Sequence, residues 1–196
     1  MDKDRLEAFS DGVIAVIITI MVLELKVPEG HDLKALWPMI PAFLSYLLSF
    51  VYVGIYWVNH HHLFKATSHV NGFILWTNLH LLFWLSLVPV TTAWCGHTQF
   101  ASAPSALYGL VLLSCAIAWK ILQGAIIACE GRQSAISKEV AGDWKGTLAL
   151  VIYSGAIILA FLQPWVSNLF YALVAGMWFI PDRRYARASS AVGEPK

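Results

Sequence analysis

Six apolar segments separated by short polar stretches make up most of this chain, and they restrict its possible folds more than any other feature. Each is close to the roughly 20 residues that a helix needs to cross a bilayer. One soluble core could not bury them all, since 58% of the 196 residues are hydrophobic and only 13% are charged. The segments are 9–25, 37–58, 73–94, 106–128, 147–162 and 165–180. The sequence therefore predicts an all-α, polytopic membrane protein with six transmembrane helices in contact with lipid.

The distribution of lysine and arginine predicts which loops share a side of the membrane, because basic residues concentrate in cytoplasmic loops. If the N-terminus is inside, ten basic residues fall in inner segments and two in outer segments. The inner set is Lys3, Arg5, Lys65, Arg132, Lys138, Lys145, Arg183, Arg184, Arg187 and Lys196, and the outer set is Lys26 and Lys34. We expect one six-span domain over 1–187 in the cell membrane, a disordered cytoplasmic tail over 188–196, and both termini in the cytoplasm.

Several function classes find little support in the composition. The formal net charge is only +1, which gives no indication of a nucleic-acid partner. Three consecutive histidines, 60–62, project at about 100° intervals on a helix, so they cannot all bind one metal. Neither a Gly-rich phosphate loop nor a serine nucleophile motif is present. The sequence predicts no enzyme, no metal site and no bound cofactor.

The first apolar segment carries two features that cannot serve the same surface. Asp11 lies inside the segment, where an unpaired carboxylate is costly. On a helix it points about 140° away from Val16. Val16, Ile20 and Leu23 follow an i, i+4, i+7 pattern with Thr19 beside them. This stripe fits ordinary helix packing, but it also fits a pore lining in which apolar rings narrow the path and a hydroxyl replaces part of an ion's water.

Polar side chains in the second and third segments also need partners at membrane depth. We expect them to form, with polar residues of the first segment, one buried network that fixes the first three helices against each other. The candidate members are Arg5, Ser10, Asp11, His60, His61, Trp76 and Asn78. His80 lies in the same segment as Asn78 and has the same need for a partner. In the fourth segment, Lys120 has two candidate partners, Glu130 and Asp143, between which the sequence does not decide.

Three motifs in the first half of the chain resemble the signature of the transmembrane protein 175 family of potassium channels. They lie in order on the first three segments, over residues 5 to about 90, while the rest of the chain resembles the family only in span count and topology. The motifs are Arg5-x-x-x-Phe9-Ser10-Asp11, continued by Val16-x-x-Thr19-Ile20-x-x-Leu23-Glu24, then Tyr56-Trp57-x-x-His60-His61, and Trp76-x-Asn78-Leu79.

The resemblance implies a potassium-permeable leak channel built from four copies of a single six-span unit, with the first helices lining a central pore. It implies no cofactor besides the permeant potassium ion. By motif position, Val16 forms the narrowest apolar ring, Ile20 and Leu23 form further rings, and Thr19 supplies an ion-coordinating hydroxyl. Valine is smaller than the isoleucine or leucine usual at this position in the family, so a wider constriction is expected here.

Two other functions also fit the sequence. A proton-coupled transporter or proton leak would use Asp11 with His60 or His61, and its flux would depend steeply on pH. A membrane enzyme built on the histidine cluster would require a stoichiometric metal.

Overall fold

The computed structural model describes residues 2–28, 30–131, 134, 137 and 143–179. In this part of the chain the regular structure is helical throughout, which confirms the all-α prediction. A short 3₁₀ helix, Leu33–Met39, leads into the second of the α-helices. The α-helices are α1 (Lys3–Leu23), α2 (Ile40–Lys65), α3 (Gly72–Ser86), α4 (Val88–His97), α5 (Ser102–Glu130), α6 (Trp144–Ala160) and α7 (Pro164–Phe179).

Four stretches are long and apolar enough to cross a membrane. They are Lys3–Leu23, Leu33–Lys65, Gly72–His97 and Ser102–Glu130. The apolar helices α6 and α7 are shorter and coincide with the fifth and sixth predicted segments. The chain is therefore a multi-pass membrane protein, and most of its helices extend several residues beyond the apolar runs that predict them.

The third predicted segment, 73–94, consists of two helices rather than one. α3 ends at Ser86 and α4 begins at Val88, with Pro89 in the first turn of α4. Proline has no N–H to donate and its ring crowds the carbonyl four residues earlier, so the helix is interrupted here. The hydroxyl of Thr92 donates to the Val88 carbonyl at 2.7 Å and adds a bond to the new helix.

Two clusters of buried side chains form the core. The first joins α1, α2, α3 and α5 and is mostly aliphatic. The second joins α2 to α5, α6 and α7 and contains four tyrosines, Tyr52, Tyr108, Tyr153 and Tyr171. Their hydroxyls are not left unpaired in the apolar interior. Tyr153 donates to Tyr52 at 3.1 Å, and Tyr52 donates to the Tyr171 carbonyl at 2.6 Å.

Hydrogen bonds join helix ends that the predicted topology places on the same side of the membrane. On the predicted inner side they join Glu7 to His61, Glu130 to the backbone N–H groups of Ser68 and His69, and Lys145 to the Met177 carbonyl. On the other side, Asn168 near the start of α7 donates to Ser105 near the start of α5 at 2.7 Å. The basic residues Arg132, Lys138, Arg183, Arg184, Arg187 and Lys196, and the predicted tail 188–196, lie outside the described residues.

Candidate pore-lining face and its polar brace

Helix α1 is buried along one face and exposed along the other. The buried face packs against α2, α3 and α4 and follows the three- and four-residue spacing of a helix. It consists of Leu6, Ser10, Ile14, Ile17 and Met21. The predicted pore residues Val16, Ile20 and Leu23 lie on the other face, where they are 55%, 43% and 79% exposed. This stripe therefore does not serve packing within the single chain.

Thr19 lies on the same exposed face, and its hydroxyl is oriented so that it can accept hydrogen bonds or bind a cation rather than donate outward. Its hydroxyl donates to the backbone carbonyl of Val16 at 3.0 Å or of Ala15 at 3.1 Å. A hydroxyl has one hydrogen and two lone pairs, so this bond uses the hydrogen and leaves the lone pairs available. Chemically, Thr19 can offer oxygen ligands to a cation that passes along this face.

A chain of hydrogen bonds that all run in the same donor-to-acceptor direction connects the buried face of α1 to α3 and α2. Ser10 donates to the Leu6 carbonyl at 2.9 Å, so its oxygen accepts from the Asn78 amide, also at 2.9 Å. The Asn78 carbonyl oxygen then faces His60 Nε2 at 2.8 Å, and that nitrogen must carry the proton. Ser10, Asn78 and His60 are all fully buried. The structure thus brings together three of the seven predicted network residues, one from each of α1, α3 and α2.

Two further members of the predicted network bind separate partners. Asp11 accepts a hydrogen bond at 3.0 Å from the indole N–H of Trp57. His61 Nδ1 lies 2.7 Å from a carboxylate oxygen of Glu7. Neither Trp57 nor Glu7 is among the predicted network residues. The four-residue spacing of Trp57 and His61 on α2, which places them on one face toward α1, is the signal that could have indicated them.

Arg5 and Trp76, the remaining two members, are exposed in the single chain, and Trp76 is 74% exposed. Neither side chain makes a hydrogen bond to another described residue. The single network predicted from the sequence is therefore divided, within one chain, into a buried chain of three residues and two separate pairs.

The hydrogen bond that Asp11 makes among the described residues is not part of a proton path. Its partner, an indole N–H, can donate but cannot accept, so it cannot pass a proton onward. Among the described residues no hydrogen bond connects Asp11 with His60 or His61. The geometry therefore gives the proton-transfer alternative no continuous route within one chain.

Lys120 on α5 has its partner at the start of α6. Its ammonium lies 3.4 Å from a carboxylate oxygen of Asp143 and 3.4 Å from the Thr147 hydroxyl. The other Asp143 oxygen accepts from the Gly146 N–H at 2.9 Å and caps the start of α6. Glu130, the other candidate, binds backbone N–H groups instead.

The fold and the face of α1 define a multi-pass helical membrane protein whose first helix presents an apolar stripe with a hydroxyl to something outside the chain. The family model described as "Endosomal/lysosomal potassium channel TMEM175" matches residues 5–89. The chain is 53% identical to a protein named potassium channel from a Chryseobacterium species, over 96% of this chain and 98% of that one. It belongs to the TMEM175 family, which is a family of ion channels rather than of enzymes.

Two further similarities concern Chamaesiphon minutus. A protein of that organism named potassium channel is 33% identical over 85% of this chain and 88% of the relative. The crystal structure of a lysosomal potassium-selective channel TMEM175 homolog from the same organism matches with a TM-score of 0.77 and 28% identity. The match covers 90% of this chain and 95% of that one. The similarity therefore extends over nearly the whole fold and beyond the motif-bearing half.

Proposed function

We propose that four copies of this chain form a potassium-permeable leak channel in the cell membrane, with α1 of each copy lining the central path. The observation that carries the proposal is the exposed stripe Val16–Thr19–Ile20–Leu23, on a helix whose opposite face is fully packed. The described residues of one chain enclose no path along this stripe, whereas a ring of copies around a cyclic axis would. Relatives that are named potassium channels support the same reading.

In this arrangement the path is narrowed by side chains rather than by backbone carbonyls. Val16 forms the narrowest ring, and Ile20 and Leu23 form further rings over about 10 Å of helix. Apolar rings gate by excluding water, so an ion must shed part of its hydration shell to pass. Thr19 lies between these rings and its free lone pairs replace some of that water. Valine is shorter than the isoleucine or leucine that is usual at this position in the family. We therefore expect a constriction that is wider than in those members and less selective for potassium.

The buried chain of hydrogen bonds holds α1 in the rotation that this function needs. Turning α1 so that Val16 left the axis would break the bond between Ser10 and Asn78 in an apolar interior. The proposed orientation has both termini in the cytoplasm. The basic residues Lys3 and Lys65 at the joined ends of α1 and α2 support it, because cytoplasmic ends of membrane helices are rich in lysine and arginine.

Potassium flux into liposomes tests the proposal. Val16→Trp places four indoles at the constriction and should abolish flux. Thr19→Ala removes the hydroxyl ring and should change the flux of potassium relative to sodium. Val151→Trp is the matched control, since Val151 is 66% exposed on α6, away from α1. It should leave flux unchanged. Unchanged potassium flux in both Val16→Trp and Thr19→Ala would show that these residues do not line the path.

A further inference from the structure

A histidine on α3 faces outward at a depth where the membrane offers it no partner. His80 is exposed and lies eight residues beyond Gly72, the first residue of α3. At 1.5 Å per residue this is about 12 Å along the helix, well inside the hydrocarbon core. Ionisable or polar side chains at such depth usually face the interior of a bundle or a water-filled cavity, because exposure to lipid is costly.

The neighbouring tryptophan fixes which ring nitrogen of His80 carries the proton. The indole N–H of Trp84, one turn further along α3, donates to His80 Nε2 at 2.9 Å. An indole can only donate, so Nε2 must be unprotonated and the neutral ring carries its proton on Nδ1. That Nδ1–H has no hydrogen-bond partner among the described residues. His80 is thus an exposed residue that carries, on Nδ1, a donor unsatisfied by the described chain.

The donor lies on a continuous exposed stripe of α3. The stripe includes Phe73, Trp76, Leu79, His80 and Phe83. Trp76, one turn before His80, likewise has an indole N–H without a partner in the described chain. Two unpaired donors thus lie on adjacent turns of one apolar face. Acyl chains contain no hydrogen-bond acceptor, so lipid cannot satisfy the deeper of these two donors, the Nδ1–H of His80.

We propose that the exposed face of α3 is a contact between copies of this chain, and that His80 donates its Nδ1–H across it to a neighbouring copy. A second copy offers carbonyl and hydroxyl acceptors at the same depth. Cyclic symmetry then gives every His80 the same partner, so that no donor remains unpaired. The inference rests on the proposed tetramer and adds to it the surface and the polar contact that hold it together.

The experiment compares the association of purified variants in detergent micelles, measured by native mass spectrometry over a dilution series. His80→Leu removes the donor. One interhelical hydrogen bond in a membrane changes an association constant about threefold on average. Four such bonds, one at each interface of the tetramer, together change it by on the order of 100-fold. We expect that loss in the tetramer association constant. His80→Asn places an amide N–H near the position of Nδ1 and should restore most of it. Ile158→Ala on the exposed face of α6 is the control and should be neutral.

The outcomes separate this inference from the proposed function. A tetramer of wild-type strength in His80→Leu, with potassium flux intact, overturns the role of His80 and leaves the channel standing. A wild-type protein that stays monomeric overturns both. A wild-type oligomer of another size that His80→Leu still weakens supports the contact and contradicts the tetramer. If His80→Leu does not yield folded protein, His80→Phe, whose ring is similar in size, takes its place.

Discussion

Replacing Asn78 with leucine should lower the free energy of unfolding of this protein by about 1–3 kcal/mol. Leucine has the same branching and the same number of side-chain heavy atoms as asparagine, so the change removes two hydrogen bonds without creating a cavity. His60 Nε2–H, fully buried, then has no acceptor, which costs about 1–3 kcal/mol by the usual scale for orphaned buried donors. Ser10 loses the Asn78 donor but still donates to the Leu6 carbonyl, so it contributes less than His60 to the loss of stability. The lower bound comes from two interhelical bonds at about 0.6 kcal/mol each.

A double-mutant cycle separates this hydrogen-bond effect from a packing effect. His60 stacks on Phe64 with ring centroids 4.5 Å apart, so His60→Phe keeps an aromatic ring in the same place. Phenylalanine has no N–H that could lose its acceptor. Asn78→Leu should therefore lower the free energy of unfolding by at least about 1 kcal/mol less in the His60→Phe background than in the wild type. The assay is equilibrium unfolding in mixed micelles, followed by far-UV circular dichroism. An equal loss in both backgrounds would show that the two residues are uncoupled and that no orphaned His60 donor contributes to the loss.

Three other variants test separate parts of the structure. Gly109→Ala should destabilise the second core cluster by about 1–3 kcal/mol and lower the melting temperature, since its Cβ would overlap the Tyr171 hydroxyl and lie 2.6 Å from the ring carbon that carries it. Glu130→Ala should accelerate amide hydrogen exchange at Ser68, whose N–H donates to the Glu130 carboxylate at 2.6 Å, with little change in α1. Asp11→Asn keeps an oxygen acceptor for the indole N–H, so the oligomer should persist and the pH dependence of flux should not change.

A Gly109→Ala protein as stable as the wild type would mean that Tyr171 can move aside at no cost. Unchanged exchange at Ser68 in Glu130→Ala would mean that the loop between α2 and α3 is held by other contacts. A steep pH dependence of flux that disappears in Asp11→Asn would favour the proton-transfer function over the potassium channel.

Most of the fold could be predicted from hydropathy and length, because crossing a bilayer imposes a minimum apolar length on each helix. The interruption at Pro89 could also have been predicted, since proline cannot continue the hydrogen-bond ladder of a helix. The two-sided character of α1 follows from helical geometry alone. Asp11 and Val16 are separated by about 140°, and the structure places Asp11 against Trp57 and Val16 on the exposed face.

The partners of individual polar residues could not be predicted in the same way. In a soluble helix the polar face reveals the exposed side, but in lipid both the packed and the exposed faces are apolar. The sequence of α3 therefore did not show that Asn78 points inward and His80 outward, although only two residues separate them. The choice of Asp143 over Glu130 for Lys120 depends on the long-range placement of α6, which no local pattern encodes.

A density map of the purified protein in lipid nanodiscs with potassium would show whether α1 lines an axis shared by four copies of the chain. We expect a fourfold axis, the Val16 side chains nearest to it, and ion density beside Thr19. A map in which another helix lies on the axis, or in which Val16 faces lipid, would contradict this arrangement.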